Sequence, residues 1–352
     1  MVSLPYTSSD LSFTRSLAKV ELHAHLNGSV RRSTLASLAL AQGLSPDAII
    51  ASSQILPGDT RSTSAQFSVF HLAHKCIRGA EVVRRVTREI LEDWSEDGVV
   101  YAEMRTTPRA HEEVGLSVEG YVQAVLDGFR DHQEGSASSS SSCHARLILS
   151  IDRRDGAEVA ERTVNLALRH RSQGVIGIDL SGDPTLGQWS NWEPALRRAR
   201  SEGLKVTIHA GEVPDADEET SQILSFHPDR LGHVCYLSPS NAKKLEETQP
   251  KIPLELCLTS NLLVCPQIVP EYSAHHFAKH YAQEHPVALC TDDTAVFGSS
   301  LSQEYAIAMQ AFGFSREETK RIARDALQAS FLDRNDPLWA ELERVVGQEM
   351  TM

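Results

Sequence analysis

Two histidines, His23 and His25, stand two residues apart at the end of the short apolar stretch 20–22. Side chains at positions i and i+2 of a strand point to the same face, so both imidazoles can reach one ion. Neutral imidazole is the commonest protein ligand of zinc and similar ions. A lone His-x-His pair among 15 histidines is weak evidence. The interpretation of the pair as metal ligands is strengthened because other apolar stretches also end in histidines and carboxylates.

The residues at the ends of these apolar stretches include a set that could bind zinc. His209 ends the apolar stretch 206–209, and Asp292 follows the stretch 287–290. With His23 and His25 they give three imidazoles and one carboxylate, a set suited to a catalytic zinc that lowers the pKa of a bound water to near ~7. Taken alone, His209 would more often be a buried core histidine, and the zinc interpretation depends on the other three residues.

Three further residues could move protons beside such an ion. Glu212, three residues after His209, can act as a general acid if its environment raises its pKa, or it can simply favour a helix N-terminus. His233 could hold or deprotonate the attacking water, or be a buried strand histidine. Asp293, next to the ligand Asp292, is available for water or substrate.

The elements that must position these residues form a repeating pattern. Eight short apolar stretches alternate with helical patterns, at 20–22, 98–105, 146–152, 175–180, 206–209, 230–233, 253–258 and 287–290. This alternation predicts an α/β fold, a single (β/α)8 barrel with additional helices, whose functional residues meet at the carboxyl ends of the strands. An open doubly wound sheet is the rival, but it favours a glycine-rich turn after the first strand, where only Gly28 stands. We expect one domain over 1–352, with a leader at 1–17 and a disordered serine-rich loop at 135–142.

Composition narrows the possible partners and location. The formal net charge is −13 and no cluster of Lys and Arg is visible, which argues against nucleic acid polymers and anionic membranes. No apolar run approaches the roughly 18 residues of a membrane span, and the first 17 residues lack a signal-peptide pattern. The six cysteines form no Cys-x-x-Cys pair, so a reducing compartment fits. We therefore expect a cytoplasmic protein.

Five ordered motifs carry a family resemblance. They are VELHAHLNG at 20–28, HAGE at 209–212, RLGH at 230–233, LCLTSN at 256–261 and CTDD at 290–293. Together they resemble the adenosine and AMP deaminase family, which implies a hydrolytic deaminase with one zinc ion on a (β/α)8 barrel. The resemblance implies His23, His25, His209 and Asp292 as ligands. It further implies that Glu212 protonates the purine N1, that His233 orients and deprotonates the water that attacks C6, that Asp293 hydrogen-bonds this water, and that the Gly182 backbone contacts the purine.

The residue at position 27 bears on the substrate. Adenosine deaminases carry an Asp there that contacts the ribose 5′-hydroxyl, whereas this chain has Asn27, whose neutral amide would not repel a 5′-phosphate. Arg105, Thr106, Thr107 and Arg109 could bind that phosphate through guanidinium and hydroxyl donors. Arg105 could instead form a salt bridge with Glu103 or another neighbour.

Several segments are most similar to the N6-methyl-AMP deaminases of this family, namely HLNGS, FHLAHKC, EMRTTPR, SIDRR and IDLSGDP. The resemblance implies hydrolysis of N6-methyl-AMP to IMP and methylamine, and it implies a monomeric protein. The implied substrate-binding residues are His25, Asn27, His74, Arg105, Thr106, Thr107, Pro108, Asp152, Gly182 and Asp293. A lid is expected within 52–78.

Three alternatives remain open at this point. An adenosine deaminase proper would have the same zinc site with a nucleoside pocket. A two-metal amidohydrolase would need a bridging lysine, but Leu180-Ser181-Gly182 ends the fourth stretch. A non-enzymatic binding protein would have lost ligands or Glu212, and none is lost.

Overall fold

The computed structural model describes residues 5–46, 72–135 and 142–350, and within them eight parallel strands form one sheet in the order of the sequence. The strands are β1 Lys19–His25, β2 Val99–Thr106, β3 His144–Asp152, β4 Val175–Ser181, β5 Lys205–Ala210, β6 Arg230–His233, β7 Leu254–Leu256 and β8 Val287–Leu289. Each strand pairs in parallel with the next.

Helices connect the strands and cover the sheet. Those before β5 are α1 Ser8–Ser16, α2 Arg32–Ala41, α3 Ala80–Glu96, α4 Val118–Gly135, α5 Ala157–Arg169 and α6 Glu193–Ser201. Those after β5 are α7 Asp217–Phe226, α8 Pro239–Glu247, α9 Leu258–Val264, α10 Phe277–Ala282, α11 Thr294–Phe297, α12 Leu301–Phe312, α13 Arg316–Gln328 and α14 Pro337–Val345. No helix among the described residues is both long and apolar enough to cross a membrane.

The sheet closes on itself just beyond β8. The Asp292 N–H donates to the His23 carbonyl at 2.8 Å, and the His25 N–H donates to the Asp292 carbonyl at 2.9 Å. These two bonds join the first strand to the chain that follows the last one. The result is a nearly closed barrel, so the (β/α)8 prediction is confirmed and the open doubly wound sheet is excluded.

The barrel interior contains a buried charge network, which we define as Glu103, Arg105, Asp179, Arg230 and Glu255. All five side chains are fully buried, at a place where barrels of this class mostly carry branched aliphatic residues. Arg230 contacts Glu103 at 2.6 Å and Glu255 at 2.5 Å, and Arg105 contacts Glu255 at 2.7 Å. Buried charges persist only when they are paired in this way.

Some predicted boundaries shift in the structure. β1 extends to His25, and β7 ends at Leu256, because Leu258 already begins α9. The predicted leader contains α1, whose Phe13 is buried and whose Thr14 hydroxyl donates to the Ser302 carbonyl at 2.8 Å. Most of the predicted serine-rich loop and most of the predicted lid, 136–141 and 52–71, lie outside the described residues.

Candidate metal and catalytic site

The four predicted zinc ligands converge at the carboxyl end of the barrel. The Nε2 atoms of His25 and His209 are 3.2 Å apart. One oxygen of Asp292, Oδ1, lies 3.6 Å from His23 Nε2 and 3.5 Å from His25 Nε2. His23 Nε2 is buried and has no hydrogen-bond partner. An unpartnered imidazole lone pair beside two further imidazoles and a carboxylate fits a zinc ion.

Two carboxylates below these ligands set the direction of the imidazoles. His23 donates from Nδ1 to Glu255 at 2.6 Å, and His209 donates from Nδ1 to Asp179 at 2.9 Å. Both rings therefore turn an Nε2 lone pair towards the ion position, as metal-bound histidines usually do. Although burial acts in the opposite direction, the guanidinium groups of Arg105 and Arg230 hold the pKa of Glu255 well below its usual range.

Sequence reasoning missed Glu255 and Asp179 as site residues. The available signal was a charged residue between apolar neighbours, in Leu254-Glu255-Leu256 and Ile178-Asp179-Leu180. It also missed Cys257, whose sulfur lies within 4.8 Å of ligand atoms of His23 and Asp292. Burial raises the pKa of the Cys257 thiol well above its usual value. This shift disfavours the thiolate, which is the form that ligates metal ions.

Asp292 and His233 occupy a backbone region that non-glycine residues rarely adopt. Each has a φ of 65°, in the left-handed region. Such positions cost roughly 1–3 kcal/mol and persist where the surroundings determine them. For Asp292 the surroundings include Ser260, whose hydroxyl donates to Oδ2 at 2.7 Å and leaves Oδ1 facing the histidines.

Glu212 and His233 face each other beside the histidine cluster. Glu212 Oε1 lies 3.7 Å from His233 Nε2, and Glu212 Oε2 is buried without a hydrogen-bond partner. Burial raises the pKa of the Glu212 carboxyl above its ordinary value. A raised pKa keeps a carboxylic acid protonated at higher pH, which is the state a general acid needs.

Asp293 lies directly over Gly28 in the same space. A Cβ added at Gly28 would lie 1.6 Å from Asp293 Oδ1 and 2.3 Å from its Cγ. Asp293 Oδ1 is buried and has no hydrogen-bond partner. The glycine at the end of the HLNG segment therefore makes room for a carboxyl group with one free oxygen.

The expectation that Arg105 binds a substrate phosphate is wrong. Its side chain is fully buried, and its Nη2 atom donates to Glu255 at 2.7 Å and to the Leu22 carbonyl at 2.6 Å. Its Nη1 atom lies 3.3 Å from Asp179 Oδ1. The guanidinium thus points into the barrel and joins the two carboxylates that orient the metal-site histidines. The alternative of an ion pair with a neighbour is the one the structure supports.

The remaining predicted substrate residues lie around the barrel mouth. The Thr106 hydroxyl is 2.8 Å from the Tyr121 hydroxyl, which also hydrogen-bonds with the Asn27 side chain. Four residues are half-buried: Asn27, His74, Thr107 and Pro108.

At the end of the neighbouring strand β3, Asp152 accepts hydrogen bonds from Arg154 and lies 3.7 Å from the Arg109 guanidinium. Gly182 adjoins Asp152 with a φ of 100°, and a Cβ there would come within 2.8 Å of Asp152 Oδ1. A side chain at this position would be strained and crowded, so glycine keeps the backbone accessible.

Comparisons with known proteins agree with this geometry. The family model for adenosine deaminase matches residues 18–342. The N6-mAMP deaminase of Arabidopsis thaliana is 40% identical over 341 residues, covering 92% of this chain and 95% of that protein.

Two solved structures extend the comparison. Arabidopsis ADAL complexed with IMP superposes with a TM-score of 0.85 at 40% identity, covering 95% of this chain and 97% of that one. An amidohydrolase from Burkholderia ambifaria, solved with bound zinc, gives a TM-score of 0.79 at 25% identity over 96% of this chain and 92% of its own. The chain belongs to the adenosine deaminase family and is a hydrolytic deaminase that acts on C–N bonds.

Proposed function

We propose that the protein hydrolyses N6-methyl-AMP to IMP and methylamine with one zinc ion per chain. The observation that carries the reaction class is the convergence of His23, His25, His209 and Asp292 beside the buried acid Glu212. The substrate rests on the relatives named for N6-methyl-AMP and on the neutral Asn27 at the mouth.

The roles of the residues follow from their positions. Zinc held by the four ligands would supply Lewis-acid activation of a water molecule. Glu212, whose carboxyl pKa is raised by burial, donates a proton to the purine N1 as the water oxygen adds to C6. His233 faces that oxygen, and Asp293 offers it an unpartnered carboxyl oxygen. The C6–N bond then breaks. Of the two protons of the water, one leaves with methylamine and the other restores the acid form of Glu212.

We assign the phosphate end of the substrate to donors at the mouth. The candidates with access are Asn27, His74, Thr107 and Arg109, all half-buried. Thr106 is buried, and its hydroxyl is linked to Asn27 through the Tyr121 hydroxyl. Arg109 replaces the buried Arg105 as the guanidinium available to a phosphate.

The test compares the activity of the zinc-loaded protein on N6-methyl-AMP, AMP and adenosine. The reaction is monitored by the change in the purine absorption spectrum. We expect N6-methyl-AMP to be converted to IMP and adenosine to remain unchanged. Turnover of adenosine alone would keep the chemistry and overturn the substrate, and the adenosine deaminase alternative would then hold.

Two variants of Asn27 test whether this residue lies beside the substrate phosphate. Asn27→Asp places a charge beside the proposed phosphate and should lower kcat/KM for the nucleotide about 10-fold or more, since like charges at about 4 Å repel by roughly 1–4 kcal/mol near a surface. Asn27→Ser is neutral and should cost less. Equal losses in both variants would contradict the phosphate assignment.

We further propose a monomeric, single-domain protein in the cytoplasm. The six buried, unpaired cysteines support a reducing compartment. Metal analysis should give one zinc per chain, sedimentation should give the monomer mass, and a tagged chain should be found in the cytoplasm.

A further inference from the structure

A chain of hydrogen bonds runs from a backbone amide to the ring of His233. It begins at the Phe277 N–H, which donates to His275 Nδ1 at 2.9 Å. His275 Nε2 lies 3.1 Å from Asn261 Oδ1, and Asn261 Nδ2 lies 3.0 Å from His233 Nδ1. Each of the three side chains in this chain is buried.

The first donor in this chain fixes the direction of every later bond. A backbone N–H can only donate, so His275 Nδ1 is an acceptor and carries no proton. The neutral ring then carries its proton on Nε2 and donates it to the Asn261 oxygen. The Asn261 amide group, turned the other way, donates to His233 Nδ1. His233 Nδ1 is therefore an acceptor, and the proton of the neutral His233 ring resides on Nε2.

We infer that Asn261 and His275 are positioning residues that hold His233 in the Nε2–H tautomer, with its N–H aimed into the reaction space. This inference rests on the proposed function, which identifies that space as the place where water attacks the substrate. It changes the expected role of His233, because a protonated Nε2 donates a hydrogen bond to the attacking oxygen and cannot take a proton from it. Asp293, whose buried Oδ1 has no partner, remains as an acceptor for the proton that the water gives up, and Glu212 can accept a proton only after it has given its own to N1.

A second contact supports the same assignment of His275 and its neighbour. His276 stacks on His275 with 4.2 Å between ring centroids and donates from Nε2 to the His233 carbonyl at 2.7 Å. The pair therefore holds both the ring and the backbone of His233, whose φ of 65° needs such support. Burial lowers the pKa of His275 well below its usual value, which agrees with a neutral ring.

The decisive variant is Asn261→Asp, which has nearly the same shape. A carboxylate still accepts from His275 Nε2, but its other oxygen cannot donate to His233 and instead accepts from it. The His233 proton should move to Nδ1. His275→Gln keeps a donor near the former Nε2 and should preserve the wild-type tautomer, whereas His275→Leu removes it. His280→Leu is the control, because His280 is a buried histidine of α10 that contacts His276 but is not part of the chain.

The readout is ¹⁵N NMR of zinc-loaded, histidine-labelled protein, with the His233 signals assigned by their loss in His233→Gln. Protonated and unprotonated ring nitrogens resonate in separate ranges. We expect a protonated Nε2 in the wild type, His275→Gln and His280→Leu, and a protonated Nδ1 in Asn261→Asp. A protonated Nδ1 in the wild type would overturn the inference.

Kinetics provides a second readout. Removing one preorganised donor from a reaction centre costs about 100-fold or more in kcat. We therefore expect Asn261→Asp to lose about that factor in kcat with KM little changed, and His275→Gln to lose much less. Undiminished kcat in Asn261→Asp would refute the donor role. The NMR measurement needs no turnover. If the proposed substrate is wrong, the NMR result is unaffected, so the two failures can be told apart.

Discussion

Replacing Arg105 with leucine separates the structural role seen here from a role in phosphate binding. The guanidinium is fully buried and donates to Glu255, while also lying 3.3 Å from Asp179. Arg105→Leu leaves these two carboxylates in the barrel interior with one cation fewer. Since Glu255 and Asp179 orient His23 and His209, the substitution should affect both folding and the metal site.

The magnitudes follow from the type of interaction. Removing one partner of a buried ion pair costs about 3–5 kcal/mol. For 352 residues, an unfolding entropy of about 2.1 cal/mol/K per residue gives about 0.7 kcal/mol/K in total. The melting temperature should therefore fall by about 4–7 °C. Loss of support for metal-bound histidines should weaken zinc binding about 10–100-fold.

Calorimetry at saturating zinc measures the first effect, and competition with a chromogenic chelator measures the second. Arg109→Leu is the matched control, because Arg109 is partly exposed at the mouth and should change nucleotide KM with little effect on melting. The reasoning is refuted if Arg105→Leu melts like the wild type and selectively loses its preference for the 5′-phosphate.

Three further predictions concern the reaction centre. Glu212→Gln should keep the full zinc content, by metal analysis, and lose at least about 100-fold in turnover because it cannot supply a proton; normal turnover would rule out the acid role. Because burial raises the pKa of Glu212 and only its protonated form donates, kcat/KM should fall as pH rises through that pKa; a pH profile that keeps rising across this range would contradict it. Gly28→Ala should displace the Asp293 carboxyl and lower kcat with zinc retained, whereas Gly156→Ala, where a Cβ meets nothing within 4 Å, should match the wild type; equal kcat in both would show that Asp293 is dispensable.

The strands and the proposed ion ligands could be located from the sequence for a common physical reason. A polar residue at the end of a short apolar stretch is conspicuous, and parallel strands bring such ends to one mouth. This is why His23, His209 and Asp292 could be grouped although they are far apart in the chain. The resemblance to a known family suggested the proposed substrate, which spacing alone could not.

Arg105 shows what sequence could not decide. It stands next to Thr106, Thr107 and Pro108, which lie near the mouth, so its neighbours suggested a phosphate ligand. Its partners Asp179 and Glu255 are 74 and 150 positions away, on other strands. A buried ion pair between distant strands leaves no local pattern. The same holds for the contact of Asn261 with His233, 28 positions earlier.

The two hydrogen bonds that join β1 to the segment after β8, here called the seam, also have a consequence for biosynthesis. Two of the proposed ligands lie on the first strand, and the fourth, Asp292, lies about 270 positions later on the chain that closes the barrel against it. Contacts this distant form slowly and late. A nascent chain cannot complete the ligand set until residue 292 has been synthesised and the seam has formed. Tight zinc capture would therefore mark the end of folding, and a truncated chain would be distinguished from a finished one by its failure to retain the metal.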